Sequence, residues 1–389
     1  LLQDHSGTLW IGTWYNGLSR LDLGSGGFER YIAIESDEEG LGDNLVYHVA
    51  AGDDGSVWMA TLRGGIHRLD PTTGALRHYR HDPKDANRLP TDWIRSAVPD
   101  RQGRVWVGTQ QHGFGRLEPD SGRYFAIDPG EVPPARLSIR AIEAARNGAV
   151  WFGSEDGLIR HDPVSGTLRT FTHDPERADS LSPGRILSLH EDRSGTLWIG
   201  MDTGLDRMLD EAQARFEHYR SDPEQPGSLS QSVVGDIFED AQGRFWIATV
   251  SGLNLMQPQA DGSVRFRVYS HADGLANDGI NAIQADAQGR LWLSTDAGVS
   301  RLDPATGQIR NYSARDGVTT GSFFVHSGTS LQDGTIFFGG THGAVSFRPD
   351  RIFDNEIPPP VRIVAMQVSG KEVDFASPPE GVALAPFGL

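Results

Sequence analysis

The sequence predicts an all-β chain built from one repeated four-stranded unit, and three observations carry that prediction. The first is a recurring hexapeptide of the form Gly-x-apolar-Trp-apolar-small, cleanest as Gly195-Thr196-Leu197-Trp198-Ile199-Gly200. Its aromatic residue falls at Trp10, Trp58, Trp106, Trp151, Trp198, Trp246, Trp292 and, in an eighth copy, Phe337, with separations of 48, 48, 45, 47, 48, 46 and 45 residues. The second is the period itself, which is the length of a blade in a β-propeller. The third is the lack of any sustained 3.6-residue apolar period, while the 47 glycines recur periodically, which points to turns rather than disorder.

Within one unit the strands follow in order. In the copy from Arg185 to Asp222, Ile186-Leu187-Ser188-Leu189 reads as the innermost strand, Asp192 to Gly195 as a tight turn and Thr196 to Met201 as the second strand. Gly204 to Met208 gives the third and Phe216 to Tyr219 the fourth. The turn between strands three and four is clearest as Asp70-Pro71-Thr72-Thr73-Gly74, Asp162 to Gly166 and Asp303 to Gly307. Proline presets φ there and glycine supplies a positive φ, so each reads as a hairpin.

The motif aromatics Trp10, Trp58, Trp106, Trp151, Trp198, Trp246, Trp292 and Phe337 read as packing residues. Neighbouring blades splay apart with radius, and a large flat ring on the second strand fills the wedge between them. The longest connections link strand four of one unit to strand one of the next: His81 to Leu89, His173 to Leu181 and Ser221 to Leu229. Their likeness predicts an Asp-Pro turn with a leucine tucked under the blade edge. His81 and His173 occupy equivalent places, which favours a structural role over metal ligation.

After Pro349 the period stops. Ile357-Pro358-Pro359-Pro360 reads as an extended linker, Val361 to Val368 as a new strand, Ser369-Gly370 as a turn and Lys371-Glu372-Val373 as its continuation. The expected domains are therefore residues 1–26, a partial blade ending a preceding propeller; 27–350, the propeller; and 351–389, a linker and the start of a β-sandwich domain. Eight motifs fit either an eight-bladed ring or seven blades from Trp58 to Phe337. Closure favours seven, because the last blade lacks a fourth strand that Phe28-Glu29-Arg30-Tyr31 can supply.

Composition excludes several functions. A formal charge of −17 argues against nucleic-acid binding and against anionic membrane surfaces. No cysteine is present, so thiol catalysis and thiolate zinc sites are excluded, and no cofactor or metal motif stands out. No apolar run approaches the roughly 18 residues of a membrane span. The chain begins inside a repeat, without Met, and reads as a piece of a longer protein.

The pattern Asp-x-x-Gly-x-Leu-Trp-Ile-Gly-Thr at Asp4 to Thr13, followed by Gly-Leu-x-Arg-Leu-Asp at Gly17 to Asp22, resembles the two-component regulator propeller repeat of bacterial hybrid histidine kinases and transmembrane diguanylate cyclases. The resemblance covers about residues 1 to 350. The tail from Pro358 resembles the start of the Ig-like three-tyrosine domain that joins such propellers to a membrane helix. Ala60, Ala248 and Ser294 replace the motif's final glycine, and the eighth copy replaces its Trp. The resemblance implies a non-catalytic periplasmic sensor of an inner-membrane protein, a homodimer through the parent protein, and a small-molecule or oligosaccharide ligand.

Variable loops on a rigid ring are where an asymmetric ligand would bind. The short connections between strands two and three supply the candidates: Arg63, Gln111, His112, Asp156, Asp202 and His342 for hydrogen bonds, with Trp14, Tyr15 and Trp93 as ring faces. Trp93 starts an inner strand and also reads as core. The alternatives are a propeller enzyme, a lyase or glycosidase, and a protein-interaction platform. A sialidase-like site needs three converging arginines, where the short loops offer only Arg63; a lyase needs a paired histidine base, for which His112 and His342 are the candidates.

Overall fold

Strands alternating with Gly-bearing turns fold into seven antiparallel sheets of four strands, the blades of a seven-bladed β-propeller. The structure, a computed structural model, describes residues 1–3, 8–13, 17–22, 27–33, 40–130, 137–318, 321–352, 366–368 and 371–373. The fourth blade is typical: Ile186–Glu191, Leu197–Met201, Gly204–Asp210 and Arg215–Tyr219, each paired with the next.

Closure follows the edge argument. The seventh blade contributes Phe323–Ser330, Ile336–Gly340 and Gly343–Phe347, and its fourth strand is Phe28–Tyr31 from the other end of the chain. The register Ala344↔Tyr31 to Phe347↔Phe28 covers the outer edge of the third strand, and Phe28 packs on Phe347 and Tyr312 at 4.9 and 5.6 Å between ring centroids. The Trp10 copy is outside the ring, in a three-stranded sheet of Leu2–Gln3, Thr8–Thr13 and Gly17–Asp22. The ring, Gly26–Ile352, is one compact unit; Leu1–Ser25 and Phe353–Leu389 make a second. Within the latter a hairpin pairs Met366–Val368 with Lys371–Val373, while the expected Pro-rich linker lies outside the described residues.

The hairpins form as the Asp-Pro turns require. Gly74, Gly166 and Gly307 have φ of 74°, 73° and 75°, and the Gly74 amide donates to the Asp70 carbonyl at 2.8 Å. The motif's small residue has a different cause. A Cβ on Gly108 would lie 2.6 Å from Ile139 Cγ2 and one on Gly200 2.9 Å from Val234 Cγ1, so the small residue seats an aliphatic at, or two residues before, the start of the next blade's inner strand.

Trp58, Trp106, Trp151, Trp198, Trp246, Trp292 and Phe337 are all buried in the core between sheets. Sequence reading missed the partner of the indole. In four blades the Asp six residues earlier accepts its N–H: Asp100 from Trp106, Asp192 from Trp198, Asp240 from Trp246 and Asp286 from Trp292, at 2.8–2.9 Å, whereas Gly52 and Ala145 stand at that place before Trp58 and Trp151. In the seventh blade Phe337 has no N–H to donate, and Leu331 stands where the Asp would be. Loss of both partners together leaves no buried group unsatisfied.

Candidate functional site

The loops between blades come first, because they decide which polar clusters are structural. Leu41, Leu89, Leu181, Leu229 and Leu275 are buried under the blade edges. His81 and His173 bind the carbonyls of Leu89 and Leu181 through Nδ1 at 2.7 and 2.9 Å, so these histidines hold the loop in place. In four blades the amide after the leucine donates to a buried polar side chain on the third strand. Gly42 donates to His67, Ser182 to Asp206, Ser230 to Asn254 and Ala276 to Ser300.

One of these latches imitates a hydrolase. In a cleft of about 520 Å³, Ser182 Oγ lies 2.8 Å from Asp206 Oδ1 and 3.0 Å from His218 Nδ1, and His218 Nδ1 lies 2.7 Å from Asp206 Oδ1. A catalytic relay needs Ser and Asp on opposite ring nitrogens. Here both face Nδ1, while Nε2 is held by the Ala178 carbonyl at 3.1 Å. The Asp206 hydrogen bond keeps the imidazole protonated more readily than usual, against the effect of burial. No nitrogen is left to take the Ser182 proton, and the repetition of the latch in three other blades gives its structural reason.

The loop residues expected to bind a ligand stand separately around one face of the ring. Arg63 is largely exposed and its Nε is 3.2 Å from Asp43 Oδ2. Gln111, His112, Asp156 and His342 are exposed on the turns between second and third strands. The His112 and Asp156 amides donate to Thr109 and Ser154 Oγ, and His342 Nδ1 meets Thr341 Oγ1 at 3.1 Å. Asp202 is already engaged, accepting the Arg185 amide and Nε at 2.8 Å each. Trp93 is 45% exposed, so the core reading of that residue is corrected: it precedes the inner strand Ile94–Pro99 and turns outward. Trp14 and Tyr15 lie outside the described residues, and the side chain of Trp10 is likewise not described.

What the fold brings together is the inner ring, through a bulge near the start of the inner strand in six of the seven blades. Tyr47, Arg95, Leu187, Gly235 and Asn281 are skipped by the pairing register. Such a bulge places two residues opposite one. In the seventh blade it is wider: the four residues Phe324 to Ser327 stand opposite Gly339 alone. His326, at a φ of 54°, reaches from this bulge to the fifth blade, where its Nδ1 meets Asp236 Oδ1 at 2.7 Å. Asp236 Oδ2 accepts the Ile283 amide at 2.8 Å, so one carboxylate ties blades five, six and seven.

Around this link the channel holds further titratable groups. His48, 5.6 Å from His326 between ring centroids, is driven down to about 3 by burial and then by the neighbouring His326. Glu143, half-buried on the inner strand of blade three, is pushed up to about 7 by burial, with His326 opposing. Burial works against a charge on His326, but the Asp236 hydrogen bond and the charges of Asp236 and Glu143 hold its pKa above the ordinary value. His48 Nδ1 and His190 Nε2 are buried without hydrogen-bond partners. Among the described residues no group of three or more His or carboxylate side chains has the geometry to hold a metal ion.

Comparison with known proteins agrees with this architecture. The family described as two component regulator propeller matches at residues 88–111, 180–203, 228–251 and 274–297, each segment a blade-to-blade loop with the first two strands after it. A histidine kinase of Formosa agariphila, Histidine kinase P4, is 24% identical over 241 residues, which is 61% of this chain and 17% of the kinase. The extracellular domain of a hybrid two-component system of B. thetaiotaomicron superposes with a TM-score of 0.75 at 23% identity over 96% of this chain and 49% of that domain. The chain thus spans about half the length of that domain and a smaller part of the kinase. Virginiamycin B lyase from Staphylococcus aureus shares the fold, with a TM-score of 0.60 and 16% identity over 82% of this chain and 98% of the lyase. Four of the segments that build this seven-bladed ring are therefore similar to the two component regulator propeller repeat.

Proposed function

We propose that the chain is the non-catalytic, extracytoplasmic ligand-sensing part of a bacterial transmembrane signalling protein, placed in the periplasm and binding a small molecule or oligosaccharide on the loop-bearing face. The observation that carries the reading is the pairing of regulator repeats with one face on which a regular scaffold carries dissimilar side chains, Arg63, Gln111, His112, Asp156 and His342. A rigid ring with an irregular rim suits recognition of an asymmetric ligand. The hairpin at Met366–Val373 opens the Ig-like domain that passes the signal onward, and the parent protein acts as a homodimer.

The enzymatic alternative finds little support in the residues. Among the described residues His112 and His342 make no hydrogen bond to a second His or a carboxylate, and the serine latch lacks a free base. A thermal-shift panel of mono- and oligosaccharides tests the reading: a ligand specific to the folded state raises the melting temperature, and Arg63→Ala or His112→Ala diminishes the shift. Turnover of the bound ligand by purified protein overturns it.

A further inference from the structure

Comparing blades at the channel mouth reveals one arginine without a counter-ion. In blade three Arg140 binds Glu155 at 3.1 Å, in blade four Arg185 binds Asp202 at 2.8 Å, and in blade six Asn281 binds Asp296 at 3.0 Å. Each acidic partner stands four residues past its motif Trp: Trp151, Trp198 and Trp292. In blade two that place is Gln110, four past Trp106, and Arg95 holds the register position that Arg140 and Asn281 hold in blades three and six. Arg95 has no ion pair among the described residues, and both its Nε and Gln110 Oε1 are buried without hydrogen-bond partners.

A half-buried guanidinium with no ion pair and an unpartnered Nε is an unfavourable arrangement on its own. Burial, and then the charge of Arg140 on the next blade, lower the Arg95 pKa, and Tyr47 and Glu155 offset them only in part. The surroundings supply flat apolar surface. The guanidinium carbon lies 4.3 Å from the Tyr47 ring centroid, and Tyr47 stacks on Phe324 at 4.2 Å with 24° between planes. Trp93, two residues before Arg95, presents its ring to solvent. In a chain of net charge −17, a site of this kind is a local exception to an acidic molecule.

We propose that Arg95, supported by Arg140, recognises an oxyanion carried on a ring-shaped ligand, with the ring resting against Trp93. The assignment rests on the reading that this face binds a ligand, and it narrows that ligand to an acidic one. A guanidinium binds carboxylate and sulfate alike through its fork of N–H groups, so a uronic acid and a sugar sulfate share the required chemistry.

Isothermal calorimetry with digalacturonate, galactose sulfate and neutral galactobiose separates the outcomes, using the wild-type chain, Arg95→Gln and Trp93→Ala. The expected result is binding of at least one acidic sugar, the carboxylate or sulfate arm identifying the anion. Arg95→Gln weakens it about tenfold or more, Trp93→Ala weakens it less, and added salt weakens it throughout. Melting of unliganded Arg95→Gln at or above the wild-type temperature shows that the loss is not one of folding. Equal affinity in Arg95→Gln, or binding of galactobiose as tight as that of the acidic sugars, overturns the anion assignment and leaves the sensing reading standing. Absence of binding by acidic sugars overturns the assignment; absence with the neutral panel as well takes the sensing reading with it.

Discussion

Replacing Trp198 by Phe tests the indole–carboxylate pair that organises the repeat. The substitution leaves the buried Asp192 Oδ2 without the Trp198 Nε1 donor that stands 2.8 Å away, while its Oδ1 keeps the Ser194 and Thr196 amides at 2.8 and 3.0 Å. A hydrogen bond to a buried charged group contributes about 1.5–3 kcal/mol, and the smaller ring leaves a void costing about 1–2 kcal/mol more. The expected loss is therefore about 2.5–5 kcal/mol. Asp192→Leu alone strands the indole N–H and removes the acceptor from the turn, for a loss of about 2–3 kcal/mol. Made together, the two substitutions recreate the Leu331–Phe337 pair of the seventh blade, and the shared interaction is lost only once. Equilibrium urea denaturation of the four proteins should show the double variant less destabilised than the sum by about 1.5–3 kcal/mol. Single-variant losses that add to within about 0.5 kcal/mol refute the pairing as an energetic unit.

Phe28→Ala removes the aromatic contact with Phe347 and Tyr312 that seats the closing strand, and should cost about 2–3 kcal/mol, below the value for a fully buried ring because Phe28 is partly exposed; an unchanged denaturation midpoint refutes a stabilising role for closure there. The second prediction concerns pH. The folded pKa of Glu143 is raised to about 7 from 4.5, so its contribution to stability is fully present below 4.5 and is lost as pH rises through about 7. Glu143→Gln should therefore melt higher than the wild type at about pH 8, with the gain fading toward pH 4.5. Equal gains at both pH values, measured by differential scanning calorimetry, contradict the burial argument.

The period, the strand order within a blade, the Asp-Pro hairpins and the closing strand Phe28–Tyr31 were all legible in the sequence. Each rests on local turn chemistry or on a repeat that tests itself, and seven blades follow from the need to pair the last edge. The loop residues were legible as exposed positions but not as a site, since neighbouring blades repeat only every 45–48 residues and spacing alone says nothing of convergence. Asp192 was visible in the motif, yet its bond to Trp198 depends on how the turn folds back over the strand. The channel groups were decided by tertiary structure alone. His326 and Asp236 are 90 residues apart and meet only because the ring closes and because the seventh bulge is wider than the others. Arg95 is an ordinary arginine in the sequence; it stands out when the blades are superposed and Gln110 is seen where blades three, four and six carry an acid. The sequence by itself determined the repeating unit, whose forces are local, and the tertiary structure determined which side chains share the axis, because that requires all seven blades at once.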